Sequence, residues 1–184
     1  FWWGDTVGYK RNASNNGWVS SQDGTTPIQF SSSDATAKRT YDKSKFYLYY
    51  TTDYIDSSSS VLNPNHDAAR VHLGGDWRMP TSNELKSLIS KCTIKRTTLN
   101  GVDGWAVTGK DEYASKGIFL PTAGYGSGSN LKDSGSEFRY WSSLPSSSQS
   151  YSDALVNENS LKLTVGNYTR YMGCPVRPVR KFAE

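Results

Sequence analysis

A change of hydrophobic period at Cys92 constrains this chain more than any other feature. Ahead of it, Thr81-Ser82-Asn83-Glu84 has the form of a capping box, in which a hydroxyl and a carboxylate satisfy each other's backbone N–H groups. Leu85, Leu88, Ile89 and Cys92 then recur at i, i+3, i+4 and i+7, the stripe of a helix that buries one face. Beyond Cys92 the period falls to two. Thr93 to Leu99, a turn over Asn100 to Gly104, and Trp105 to Thr108 read as a hairpin. A second short helix is expected over Asp67 to Val71, after Asn63-Pro64-Asn65-His66. Short strands are expected at Lys116–Pro121, Tyr140–Ser143, Asp153–Asn157, Leu161–Val165 and Val176–Val179. The pattern predicts an α+β fold with two short helices, several short antiparallel strands and a large share of loops.

The rest of the chain is punctuated by polar stretches. Its 184 residues suit one domain spanning 1–184. Hydrophobic residues make up only 35%, yet 6 Trp and 12 Tyr are present, so the core has to lean on rings. Phe1 to Thr6 is expected to be extended and packed inside. Lys10 to about Lys45 reads as a long surface excursion of loops with short ordered pieces, Phe46-Tyr47-Leu48-Tyr49-Tyr50 as a brief return to order, and Ser57 to Ser60 as flexible. Gly124 to Gly135 reads as a mobile or turn-rich loop, and Asn167 after Gly166 as a turn residue.

Several functions are disfavoured by the totals. The net charge of +4 is dispersed, and the densest basic run, Arg177 to Lys181, alternates with Pro and Val, so no nucleic-acid partner is expected. No apolar run approaches the roughly 20 residues of a membrane span, so no direct membrane insertion is expected. The start at Phe1 without Met reads as a mature product or, the preferred reading, a domain cut from a longer polypeptide. Cys92 and Cys174 form no metal-type pair, and His66 and His72 read as structural or solvated. A disulfide depends on a Cα separation that sequence does not give; free thiols are the preferred reading. No nucleophile elbow, zinc helix or phosphate loop appears, and Gly124-Tyr125-Gly126-Ser127-Gly128 lacks the Lys and helix of a phosphate cradle. The protein is not expected to be an enzyme.

Arg139 to Cys174 draws the functional reading. It mixes Tyr with Ser and Asn, which supply large contact area and adaptable hydrogen bonds, as in binding loops. Arg139, Ser147, Gln149, Tyr151, Asp153, Asn157, Asn159, Asn167, Tyr168 and Tyr171 are the candidate ligand-binding residues of one outward face. The competing reading is a solvated antiparallel sheet with no ligand, since Leu161-Lys162-Leu163-Thr164-Val165 is ordinary strand alternation. Trp77 and Trp141 are expected in the core, and Arg78 and Arg177 on loop carbonyls.

Several blocks carry a resemblance. Gly74-Gly75-Asp76-Trp77-Arg78-Met79-Pro80-Thr81 with Glu84, Gly101-Val102-Asp103-Gly104-Trp105 with Val107-Thr108-Gly109, and Ile118 to Tyr125 come in order. Tyr140-Trp141-Ser142-Ser143 and Gly173 with Val176-Arg177-Pro178-Val179 follow, and Trp3-Gly4-Asp5-Thr6 opens the series. Together they resemble the Fibrobacter succinogenes major paralogous domain family. The resemblance implies a C-type-lectin-like fold of the formylglycine-generating-enzyme type, and a cell-surface or extracellular place within a larger surface polypeptide or pilus-associated assembly. It is also similar to the variable proteins of diversity-generating retroelements, which implies a hypervariable recognition face at 139–174.

The expectation is therefore an adhesin-like module that binds a protein or glycan ligand. The alternatives are a structural surface or pilus-associated domain without a ligand, and a relative of the formylglycine-generating enzymes. Those enzymes use a nearby cysteine pair in the C-terminal part, where this chain has only Cys174. Calcium-type sugar binding wants carboxylate-bearing triplets, and Asn63-Pro64-Asn65 lacks the carboxylate. No cofactor is expected, with a structural calcium on loop Asp residues left open.

Overall fold

The computed structural model describes residues 1–12, 14, 17–31, 55–56, 58, 60–146, 151–158 and 162–181. The expected ordered segment Phe46–Tyr50, most of the polar excursion after Ser31, and Ser57 and Ser59 lie outside the described residues.

Trp2 and Trp3, in the apolar opening, are buried without forming a strand. In the stretch expected to be loops with short ordered pieces, the pieces pair into one antiparallel sheet: β1 (Tyr9–Arg11), β2 (Trp18–Ser20) and β3 (Pro27–Ile28) in that order. Aromatics hold this sheet to the core. Tyr9, Trp18 and Phe30 are widely spaced in a polar stretch, so no window shows a period, yet together they bury Trp2. A two-stranded piece, β4 (Ile55–Asp56) with β5 (Val61–Leu62), precedes the helices.

Each helix is started by one side chain. Asp67 caps α1 (Ala68–Leu73): its Oδ1 accepts from the N–H groups of Ala69 at 2.9 Å and Arg70 at 3.1 Å. Its Oδ2 takes the Met79 N–H at 2.8 Å, so the same buried carboxylate also pins the segment leading to the next helix. Gly74 ends α1 with φ 67°, a conformation that favours glycine. Thr81 caps α2 (Ser82–Lys91) with the expected box: Glu84 N–H donates to Thr81 Oγ1 at 3.2 Å, and Thr81 N–H to Glu84 Oε2 at 2.8 Å.

After α2 comes the antiparallel sheet β6 (Thr93–Leu99), β7 (Val102–Thr108) and β8 (Gly117–Pro121). The turn is only Asn100-Gly101, both at positive φ, so Val102 to Gly104 belong to the strand rather than to the loop. The glycine-rich stretch expected to be mobile or turn-rich holds a short hairpin, β9 (Tyr125–Ser127) with β10 (Asn130–Lys132).

The centre of the fold is the antiparallel sheet β11 (Arg139–Pro145), β12 (Tyr151–Glu158) and β13 (Lys162–Thr169), with Trp141, Ala154 and Gly166 in one row. Gly166 and Asn167 lie inside β13, not at a turn. Leu155, Leu163 and Val165 on one face meet Leu85, Leu88, Ile89 and Cys92 of α2, together with Trp105 and Leu120. Trp141, Ala154 and Val156 on the other face meet Trp3, Leu62, Met79 and Cys174. Val176 to Val179 supplies a single bridge, Arg78 to Val179, rather than a strand. The first residues close against β11 and the segment after β13, with Cys174 N–H on the Phe1 carbonyl at 3.0 Å and Trp3 Nε1 donating to the Ser142 carbonyl at 2.7 Å. Among the described residues the architecture is α+β, with two short α-helices and small antiparallel sheets.

Candidate recognition site

Much of Arg139 to Cys174 is interior. Ser142, Ser143, Ser152, Asn157 and Arg170 are all buried, and most of these polar groups are satisfied by the fold itself. Ser82 Oγ lies 3.1 Å from Ser142 Oγ, and Ser143 Oγ donates to the Pro80 carbonyl at 3.3 Å. Arg170 stacks over Trp3 at 4.0 Å and its Nε donates to the Tyr151 carbonyl at 3.0 Å. The serines therefore tie the sheet to the segment before α2 instead of forming a solvated rim.

The seven described candidate residues do not share one face. Ser147, Gln149 and Asn159 lie outside the described residues. Asn157 is 1% exposed, a correction to its outward placement. Its Oδ1 accepts the Phe138 N–H at 2.7 Å and its Nδ2 donates to the Ser136 carbonyl at 2.8 Å, so its amide substitutes for missing strand pairing. Tyr151, Asp153 and Asn167 belong by register to the sheet face that carries α2. Asp153 is held there by Ser82 Oγ at 2.5 Å and Asn167 Nδ2 at 2.7 Å. Only Tyr151, 38% exposed, and Asn167 are exposed in this group. Arg139 and Tyr168 occupy the opposite face. Tyr171 packs beside Trp2, Ile28 and Phe30, and its carbonyl accepts from Trp2 Nε1 at 2.8 Å.

What the structure does bring together is a group around Tyr125. The Arg139 guanidinium lies between two rings, 3.4 Å from the Tyr125 centroid and 4.4 Å from that of Tyr168. Its Nη1 also donates to Met172 Sδ at 3.2 Å. Tyr168 can lie along its strand because Gly166 has no side chain; a β-carbon there would stand 3.2 Å from the ring edge. Burial raises the Tyr125 phenol above its ordinary pKa, against the pull of Arg139.

The far side of this group is a pocket of about 360 Å³. Tyr9, Trp18, Phe30, Tyr125 and Leu131 line it together with backbone at Gly126 and Gly173. Gly126 and Gly173 bridge one another, and Phe30 occupies the space that side chains on them would need. Phe30 meets Trp18 edge-on at 5.0 Å and Tyr9 at 5.6 Å, so these walls are fixed by ring packing. Arg11 stacks 5.1 Å over Trp18 and donates to the Ser129 carbonyl at 3.0 Å, joining the first sheet to the β9–β10 turn. The volume falls in the range of small-ligand pockets, and aromatic walls beside a few backbone polar groups suit a ligand with an apolar face. Sequence reading placed none of these five side chains in a binding site. The one available signal was the isolated aromatics Trp18 and Phe30 within otherwise polar text.

The thiols are separate. Cys92 packs with α2 and Cys174 in the opposite cluster, and both are free. Burial pushes the Cys174 thiol up to about 12, so it stays protonated at neutral pH. His66 Nδ1 contacts the Gly4 carbonyl at 3.2 Å and His72 Nε2 the Thr6 carbonyl at 2.7 Å, both structural. Trp141 is fully buried, whereas Trp77 is half-exposed under Arg180 at 5.1 Å. Arg78 reaches the Met79 carbonyl at 3.1 Å but spends most of its fork on Glu84, at 2.8 and 2.5 Å. Among the described residues no three His, Cys, Asp or Glu side chains come together as a metal cage. No protein-family model matches the chain, and no characterised protein and no solved structure matches it either.

Proposed function

We propose that the protein is a ligand-binding module of C-type-lectin-like fold, displayed at a cell surface, that recognises its ligand without a metal. The aromatic pocket between the first sheet and the β9–β10 hairpin carries this reading. It is concave, preformed and walled by rings whose positions are fixed by mutual packing. Its Tyr125 wall is shared with Arg139, which keeps part of the 139–174 span, namely Arg139 and Tyr168, beside the site. The ligand is a protein or glycan portion that presents an apolar face to Tyr9, Trp18 and Tyr125.

One observation favours a second reading, a surface domain that spaces a larger assembly and has no ligand of its own: the polar residues of β11 and β12 are mostly spent on internal hydrogen bonds. Glycan and protein arrays probed with the chain separate the two. A retained ligand should be weakened by Trp18→Ala and Tyr125→Ala and not by Tyr151→Ala on the other face, with melting followed for each variant. Loss through Tyr151 alone would overturn the pocket, and empty arrays would favour the spacer.

A further inference from the structure

We propose that the outer edge of β6 accepts an extended, acidic segment of another polypeptide by strand addition. This inference does not depend on the pocket. β6 is an edge strand of seven residues, and all but Ile94 are exposed. Its register shows which backbone groups are turned outward. Asp103, opposite Thr98, gives its carbonyl to the Thr122 N–H on the β8 side at 2.9 Å, so Thr98 and Asp103 exchange no backbone hydrogen bonds. Alternation then turns the N–H and C=O groups of Ile94, Arg96 and Thr98 away from β7. No other backbone partner takes them among the described residues. An extended segment laid alongside would find a ladder spaced for main-chain pairing.

Charge selects the occupant. From Leu85 to Val102 the chain holds Lys86, Lys91, Lys95 and Arg96 and no acidic residue. All four are exposed, and none forms an ion pair with a described carboxylate. The acids that flank this stretch in sequence are already engaged, Glu84 by Arg78 and Asp103 by the hydroxyl of Thr98 on β6 itself at 2.6 Å. Lys95 and Arg96 stand on opposite faces of the strand, so a partner with acidic residues on both faces meets a cation on each. An antiparallel second copy centred here sets Arg96 against Arg96, which is repulsive, so the same charges that block self-pairing admit an acidic partner.

The test uses a nonapeptide alternating Glu with Val and Thr, and its counterpart with Lys for Glu, added to the full chain. Amide hydrogen exchange of Ile94, Arg96 and Thr98 should slow with the Glu peptide and not with the Lys peptide, and the effect should fade with added salt. Arg96→Pro removes one outward donor and should weaken binding about tenfold. The double variant Lys95→Glu/Arg96→Glu leaves the backbone intact and should exchange the preference, binding the Lys peptide instead. Three results would each overturn the proposal: no slowing at millimolar Glu peptide, slowing confined to other residues, or slowing at these residues from protein concentration alone.

Discussion

A β-carbon on Gly173 would fall inside the van der Waals envelope of the Phe30 ring. Two segments more than a hundred residues apart thus define one another's side chains, and Gly126 completes the slot. Gly173→Ala is expected to destabilise by about 1–3 kcal/mol through overpacking, and Phe30→Ala by about 3–5 kcal/mol through the cavity it leaves. The double variant should cost less than the sum, because the added methyl then enters the vacated space. Denaturant unfolding of the three variants checks this, and strict additivity would count against the contact.

Acid should weaken the start of α2 in a defined window. The hydrogen-bonded Arg78 fork, then the Thr81 N–H and hydroxyl, hold the Glu84 carboxyl down at about 2 against an ordinary value of 4.5. A depressed folded pKa contributes stability that is present above about 4.5 and is lost as pH falls through about 2. Glu84→Gln should flatten that limb of the stability curve. The pair is largely exposed, so the difference should stay below about 1 kcal/mol.

Thiol labelling should separate the cysteines. Cys174 is buried and its thiol remains protonated, whereas Cys92 is half-buried at the end of α2. A disulfide-exchange reagent at neutral pH should modify Cys92 first and reach Cys174 only at the rate of unfolding. Two equally fast thiols would contradict the packing around Cys174.

Replacing Asn157 is expected to act on stability alone. Asn157→Ala leaves the buried Phe138 N–H without its acceptor, at a cost of about 1–3 kcal/mol. Any retained array ligand should bind this variant as well as the parent once both are folded. A selective loss of ligand at unchanged melting temperature would return Asn157 to the recognition surface.

What was legible in the sequence was local. The Thr81 box and the stripe from Leu85 to Cys92 are encoded within a dozen residues, and α2 follows them. The β6–β7 pairing was readable from its turn, though Val102 to Gly104 joined the strand once the two-residue loop closed. Which way a strand residue points depends on register with a distant partner, and this is where the single recognition face failed. Reading Asn167 as a turn ended β13 too early, so its alternation with Asp153, Leu155 and Asn157 could not be followed. Asn157 is polar and so suggests an outward place; its burial follows from the Phe138 N–H and the Ser136 carbonyl that its amide pairs. The stretch from Gly124 to Gly135 reads as mobile or turn-rich for a related reason, since Phe30, which fills the bare surface of Gly126, lies far away in the chain.

The sheet from β11 to β13 is covered on both sides, with consequences for diversity in this stretch. A library that randomised every codon from 139 to 174 would consist mainly of chains unable to fold, because Ala154, Leu155 and Val156 are consecutive and each faces packed neighbours. Among the described residues of this stretch, tolerated change is expected at Tyr151, Lys162 and Asn167, which reach water and are not adjacent in sequence, so new specificities drawn from these residues would rest on dispersed positions.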